Sequence, residues 1–210
     1  MRKLMILFFT ALFACASLFA QKAEIQQAVE RYKNMNTLTA AVTWTRHNAA
    51  VTQDVVTQGH FYFKKPGRMC MTFNDGKDML LMDGSTFAMV TDGKKSVAKG
   101  EGSNQFESLL AVFKSLVSGG DADVDLSELA DVDITKRDNI CTLTIIPLVP
   151  DEKAKRKQMF TSFVLTLDLK LSELKSLRMN GRGGNYEQYD FSGYVFDGAV
   201  SDSVFNPRSL

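Results

Sequence analysis

The sequence predicts a mainly β domain of the α+β type, in which one long antiparallel sheet is covered by a few helices. Three observations carry this reading. First, Asp75-Gly76, Asp83-Gly84 and Asp92-Gly93 supply the positive backbone dihedrals that tight antiparallel hairpins need. Second, the segments between and before them, from Gly59 to Val90, are short, apolar and rich in strand formers. Third, two stretches carry the apolar recurrence of a helical face, and an extended apolar sheet face must be covered by something.

Taken in order, Arg2 and Lys3 precede an apolar run from Leu4 to Phe19 that ends in Ala20-Gln21, the layout of a secretory signal peptide. Residues 1–20 are therefore expected to be removed, leaving 21–210 as a single domain. A transmembrane anchor is the alternative, although the run falls short of the roughly twenty residues a span needs. Leu12-Phe13-Ala14-Cys15 raises another, a lipoprotein signal acylated at Cys15. From Lys22 to Met35, Ile25, Ala28, Val29, Tyr32 and Met35 mark one helical face. Strands are expected over Val42–Arg46 and Val55–Phe63. The clearest helix follows, over Gln105–Val117: Phe106, Leu109, Leu110, Phe113, Leu116 and Val117 form one stripe, Asn104 caps with Glu107, and Gly119-Gly120 stops it. Further strands are expected near Ile134, Cys141–Ile146, Phe163–Leu169, Leu174–Met179, Tyr186–Phe191, Tyr194–Phe196 and Val204–Phe205.

The chain excludes several functions. Its 25 Lys and Arg face 24 Asp and Glu; loss of Arg2 and Lys3 with the leader turns a net charge of +1 into −1, which gives nucleic acid no basic footprint. An enzyme reading fails on inventory: His47 and His60 are the only histidines, and neither lies in a nucleophile or metal motif. No cofactor and no metal are expected. Gly181, Gly183 and Gly184 sit between strand patterns, so they mark a turn and not a phosphate loop. The run Lys153, Lys155, Arg156 and Lys157 reads as a solvated loop, with docking to an acidic partner or an anionic membrane surface as the alternative. Cys70 alternates with Met69 and Met71 while Cys141 is in phase with Leu143 and Ile145, so a disulfide between them is left open.

Gly59 to Val90 is unusual in its aromatic and methionine load. Phe61, Phe63, Met69, Met71, Phe73, Met79, Leu81, Phe87 and Met89 all occupy odd positions, although the intervening turns keep odd numbering from guaranteeing a shared face. Flexible thioethers suit a surface that accepts chains of variable shape. The stretch resembles the periplasmic outer-membrane lipoprotein carrier proteins, the LolA family. That family has a Gly-x-Phe/Leu-x-x-Lys-Arg-Pro strand, then a strand ending near a Trp, then Asp-Gly-x-x-aromatic. This sequence has Gly59, Phe61, Lys64-Lys65-Pro66, Met69, Met71 and Asp83-Gly84-Ser85-Thr86-Phe87 in the same order. Leu143–Pro147, Phe163–Leu169, Gly184-Asn185-Tyr186 with Tyr189, and Val204–Pro207 extend the resemblance over most of the chain. Lys65 stands where the family has arginine, and Met71 where it has tryptophan.

The resemblance implies a half-open, unclosed antiparallel β-barrel whose concave apolar face is capped by helices, with a client's acyl chains held between them. The nine residues above would line that face, with Phe106, Leu109, Leu110 and Phe113 supplied by the covering helix. In the family the arginine before the proline hydrogen-bonds carbonyls of the lid and holds the cavity closed until cargo enters. Lys65 lacks the planar five-donor fork and can offer only a point contact, so clasp and simple exposure both remain open. The implied function is a monomeric, non-enzymatic periplasmic carrier that takes acylated lipoproteins from an inner-membrane lipoprotein exporter to an outer-membrane acceptor. A lipid- or lipoprotein-sensing domain and a membrane-tethered acceptor of the same fold are the alternatives.

Overall fold

The computed structural model describes residues 31–83, 86–99, 106–109, 111–112, 128–149 and 151–206. The expected leader, Cys15 and most of the expected first helix lie outside them. Eleven strands form one sheet: β1 (Thr37–His47), β2 (Val55–Lys64), β3 (Arg68–Phe73), β4 (Asp78–Asp83), β5 (Thr86–Thr91), β6 (Lys94–Lys99), β7 (Ala130–Arg137), β8 (Ile140–Pro147), β9 (Ser162–Asp168), β10 (Glu173–Asn180) and β11 (Tyr186–Phe196). Every neighbouring pair is antiparallel, in the order β6-β5-β4-β3-β2-β1-β11-β10-β9-β8-β7. First and last strands meet in the middle. The edges, β6 and β7, are not paired with each other, so the sheet is unclosed. Both edges carry charge, with Lys94 and Lys95 on β6 and Asp131, Asp133, Lys136 and Arg137 on β7, which discourages pairing with another chain.

The Asp-Gly hairpins form where their backbone chemistry places them. Thr91 lies opposite Lys94, and Asp92 and Gly93 between them have φ of 51° and 73°, a two-residue turn matched to strand twist. The β3–β4 turn is wider and puts Asn74, Asp75 and Gly76 at φ of 51°, 55° and 85°. Asp78 Oδ1 accepts from the Asp92 amide at 2.8 Å and ties these two turns together. Asp83 and Thr86 flank the third turn, whose Gly84 and Ser85 lie outside the described residues.

Three segments differ from the sequence reading. Tyr186–Phe191 and Tyr194–Phe196 form one strand, because Gly193 at φ 63° accommodates a bulge where the register against β1 shifts between Thr39 and Ala41. Val204 and Phe205 are not strand but part of a 3-10 turn, Asp202–Phe205, started by Ser201, whose side chain accepts from the Ser203 amide. The basic run is a short helix, Glu152–Lys157, because Asp151 Oδ1 accepts from the Ala154 amide at 2.7 Å and caps it.

The sheet is strongly curled. Phe87 on β5 and Phe163 on β9 are seven strand spacings apart, roughly 34 Å on a flat sheet at about 4.8 Å per spacing. Yet both rings meet Phe106, with centroids at 3.5 Å and 5.9 Å. The inner face is lined from β5 across to β9 by one apolar cluster that includes Met89, Met71, Phe61, Val42, Phe191, Leu177 and Leu165.

A second, smaller cluster lies on the outer face: Cys70, Met79, Leu81, Ala88 and Val90, under Phe205. Asp202 fastens this cover, pairing with Lys64 at 2.9 Å and Arg68 at 2.7 Å, and these two cations hold its carboxyl below the usual range. Met79 and Leu81 thus do not share the concave face with the other seven strand residues grouped by odd numbering. The four residues between Phe73 and its partner Asp78 make odd positions on β3 face even positions on β4, so Leu80 and Met82 point inward instead. Cys70 and Cys141 are not joined by a disulfide and lie in the outer and inner clusters respectively, and burial pushes the Cys70 thiol up to about 12.

Candidate functional site: the concave apolar face

Alternation along each strand builds the inner surface. On β2 and β3, Phe61 lies opposite Met71 and Phe63 opposite Met69, and all four are buried. Phe61 also meets Phe191 of β11 edge-on at 5.1 Å, which joins the two halves of the sheet. Leu80 pairs with Met89 and Met82 with Phe87, extending the surface toward the β6 edge. Phe73 closes one end: its ring lies across Gly59, where an added Cβ would come within 2.3 Å of it, and so reaches Trp44 at 4.9 Å. Gly59 is a notch for that ring. Of the strand residues singled out from sequence, Phe61, Phe63, Met69, Met71, Phe73, Phe87 and Met89 come together here.

The covering helix is described at residues 106–109 and 111–112. Phe106 stacks on Phe87 and meets Phe160 at 6.0 Å and Phe163 at 5.9 Å, while Leu109 is fully buried. Leu110 and Phe113 lie outside the described residues. Ser108, Ala111 and Val112, off the expected stripe, are buried as well. The buried positions extend over more than half of the helix circumference, with Glu107 half-buried, so this segment is set into the concavity and is more than a cover laid across it. Each large apolar side chain buried in this way contributes about 1.5–3 kcal/mol.

Lys65 does make a carbonyl contact: Nζ donates to the Lys33 oxygen. That carbonyl ends the helical residues 31–33, so the contact is made with this segment and not with residues 106–112. A cation there also complements the partial negative charge of a helix C-terminus.

Sequence reasoning missed a polar cluster at the Phe73 end. Glu187 lies on the inner face opposite Met179, and its Oε2 accepts from Trp44 Nε1 at 3.2 Å and from the Tyr189 hydroxyl at 2.7 Å. The carboxylate satisfies two donors that burial has cut off from water. Burial pushes the Glu187 carboxyl above its ordinary value, opposed by those hydrogen bonds and by Arg46. Burial and the neighbouring Glu187 also push the Tyr189 hydroxyl up, so it stays a donor. Arg46 lies 4.7 Å over the Trp44 ring and pairs with Asp92 at 3.1 Å.

The histidines stand apart from this surface. His47 contacts Asp54 at 2.7 Å and stacks on Tyr186, and His60 is exposed beside Tyr62. Among the described residues, no group of three or more His, Cys, Asp or Glu side chains is placed to hold a metal ion. An open groove of about 920 Å³ at the β3–β4 and β5–β6 turns is lined by residues such as Asp75, Lys77, Asp78, Val90 and Lys95, and is separate from the concave face.

None of the curated proteins matches the sequence. Among solved structures, a DUF1329 family protein from Desulfovibrio piger is 14% identical, with a TM-score of 0.46 over 90% of this chain and 98% of that one. A putative outer membrane lipoprotein-sorting protein domain from Vibrio parahaemolyticus is 12% identical, with a TM-score of 0.44 over 89% and 96%. A LolA superfamily protein from Nitrosomonas europaea is 9% identical, with a TM-score of 0.43 over 90% and 98%. The profile of the family described as outer membrane lipoprotein carrier protein LolA matches residues 33–208, which contain the whole of the described sheet, and the chain belongs to that family.

Proposed function

We propose that this protein is a periplasmic carrier that binds the acyl chains of lipoproteins on its concave face and ferries them from the inner to the outer membrane. Its partners on this reading are an inner-membrane exporter and an outer-membrane acceptor, and it works as a binding protein, not an enzyme. The mature chain would be residues 21–210, released from a signal peptide at 1–20. The observation that carries the reading is an unclosed sheet of a lipoprotein-carrier family whose inner face is apolar and methionine-rich and is occupied by the chain's own helix. Acyl chains gain about 0.8 kcal/mol per buried methylene, so a carrier must offer apolar cover and yet release it. A resident helix that competes for the same surface moderates the net affinity and makes release feasible.

Titration with a fluorescent fatty-acid probe tests this, using paired substitutions on the two faces. Met71→Glu puts an unpaired carboxylate on the inner face, at a cost of several kcal/mol, and should weaken binding at least about tenfold. Met79→Glu alters the outer cluster and should leave affinity nearly unchanged in the fraction that stays folded. Equal effects from both, or from neither, would remove the concave face as the binding surface. Depletion in the native host followed by fractionation of lipoproteins between the two membranes tests the transport step.

A further inference from the structure

One end of the sheet carries cations and exposed apolar side chains that the acyl-chain face does not use. We infer that this end is a docking surface for an anionic lipid bilayer, built from the helix Glu152–Lys157, the turn at 181–185 and the loop at 48–54. This goes beyond the carrier reading and does not depend on it.

The three segments are fastened together. Arg182 donates to the Lys155 carbonyl, Thr161 N to the Asn180 carbonyl at 2.7 Å, and Ala49 N to Asn185 Oδ1 at 2.9 Å. The cations are Lys153, Lys155, Arg156, Lys157 and Arg182, all exposed. Nearby acids are already engaged: Asp151 caps the helix, Glu152 pairs with Lys155 at 3.4 Å, and Asp54 meets His47. Three apolar side chains stand out among these charges, with Val51 52%, Leu148 38% and Met159 44% exposed. Long cationic side chains around exposed apolar ones match a bilayer interface, where the cations meet anionic headgroups and the apolar groups enter the acyl boundary. An acidic protein surface would reward the charges and leave the three apolar groups unexplained, so the lipid surface is favoured. Phe160, next to Met159, packs against Phe106, so a docked protein would hold the filled concavity beside the membrane.

Co-flotation of the exported protein with vesicles tests this, comparing phosphatidylcholine alone with phosphatidylcholine containing phosphatidylglycerol, at low and high salt. Preferential binding to the anionic vesicles, weakened by salt, is expected. Combining Lys153→Gln, Lys155→Gln, Arg156→Gln and Lys157→Gln should lower partitioning at least about tenfold. These side chains are exposed, so the thermal transition and fatty-acid binding should be retained. Leu148→Ser with Met159→Ser should weaken partitioning while keeping its salt dependence. Because all variants share one N-terminus, any N-terminal contribution cancels. Equal binding to both vesicle types, or unchanged binding after the fourfold substitution, overturns the inference. Binding to neither vesicle type also overturns it.

Discussion

Truncating Phe106 to alanine separates a helix that competes with cargo from one that is simply core. The ring is 2% exposed, stacks on Phe87 at 3.5 Å and touches Phe160 and Phe163. Burying a phenylalanine contributes about 1.5–3 kcal/mol, and a well-placed ring pair adds roughly 0.5–1.5 kcal/mol. A loss of about 3 kcal/mol follows, at the low end of the range for such truncations. If residues 106–112 must leave the concavity for acyl chains to enter, that loss falls on the cost of undocking. At about 1.4 kcal/mol per factor of ten, the vacated state gains on the order of 100-fold in relative population. Apparent affinity rises with the competent fraction, less whatever contact the missing ring would have made with the acyl chain. A net gain near tenfold is the expected result. Fatty-acid titration of wild type and Phe106→Ala, alongside thermal unfolding and amide exchange at residues 106–112, measures each part. A lower melting temperature with unchanged or weaker affinity would falsify the competition and leave Phe106 as ordinary core.

Three further outcomes follow from geometry elsewhere in the sheet. Glu187 titrates higher in the folded state than unfolded, so the folded state holds an extra proton from the ordinary value of 4.5 upward, and stability falls as pH rises through that window. Glu187→Gln keeps an acceptor for Trp44 and Tyr189 but should abolish this fall; an identical pH profile in denaturant unfolding would refute the assignment. Gly59→Ala places a methyl 2.2 Å from the Thr72 carbonyl oxygen and 2.3 Å from the Phe73 ring. It should cost about 1–3 kcal/mol and alter the emission of Trp44, the chain's one tryptophan, whereas wild-type stability and emission would mean the notch has no role. Lys65→Ala should speed amide exchange at residues 31–36 and leave residues 106–112 unaffected; faster exchange at 106–112 would show that the clasp reaches the filling helix after all.

Much of this fold was legible because each level of the sequence agrees with the next. Asp92-Gly93 specifies its hairpin locally, and the alternation of Phe61, Phe63, Met69 and Met71 specifies the face. What failed was the arithmetic of turns. Three residues join Lys64 to its partner Arg68 and preserve parity, but four join Phe73 to Asp78 and invert it, and two between Asp83 and Thr86 invert it back. Phe87 and Met89 therefore rejoined the expected set while Met79 and Leu81 left it. Turn lengths were available in the sequence, though strand ends were not sharp enough to count them. The Glu187 cluster was hidden for another reason: Trp44 and Glu187 are 143 residues apart, and only the pairing of β1 with β11 brings them together. For Lys65 the sequence left a carbonyl contact and simple exposure both open, and which segment it meets depends on three-dimensional packing that no local pattern encodes.

That pairing of β1 with β11 also governs how the chain can assemble. Hairpin contacts between sequence neighbours build β1 through β6 and β7 through β11 separately, and such local contacts form fast. The seam between the halves must wait for the last strand to exist. Until then, one side of β1, the first strand made, has backbone donors and acceptors without partners beside Val42 and Trp44. An exposed edge of that kind recruits other chains. Nascent or truncated forms ending at Asn180 should therefore aggregate and be cut readily by protease, while chains extending through Phe196 resist both. On the proposed reading of an exported chain, vectorial delivery of the N-terminal half first would lengthen the wait, and β1 would need shielding for the time its partner takes to cross.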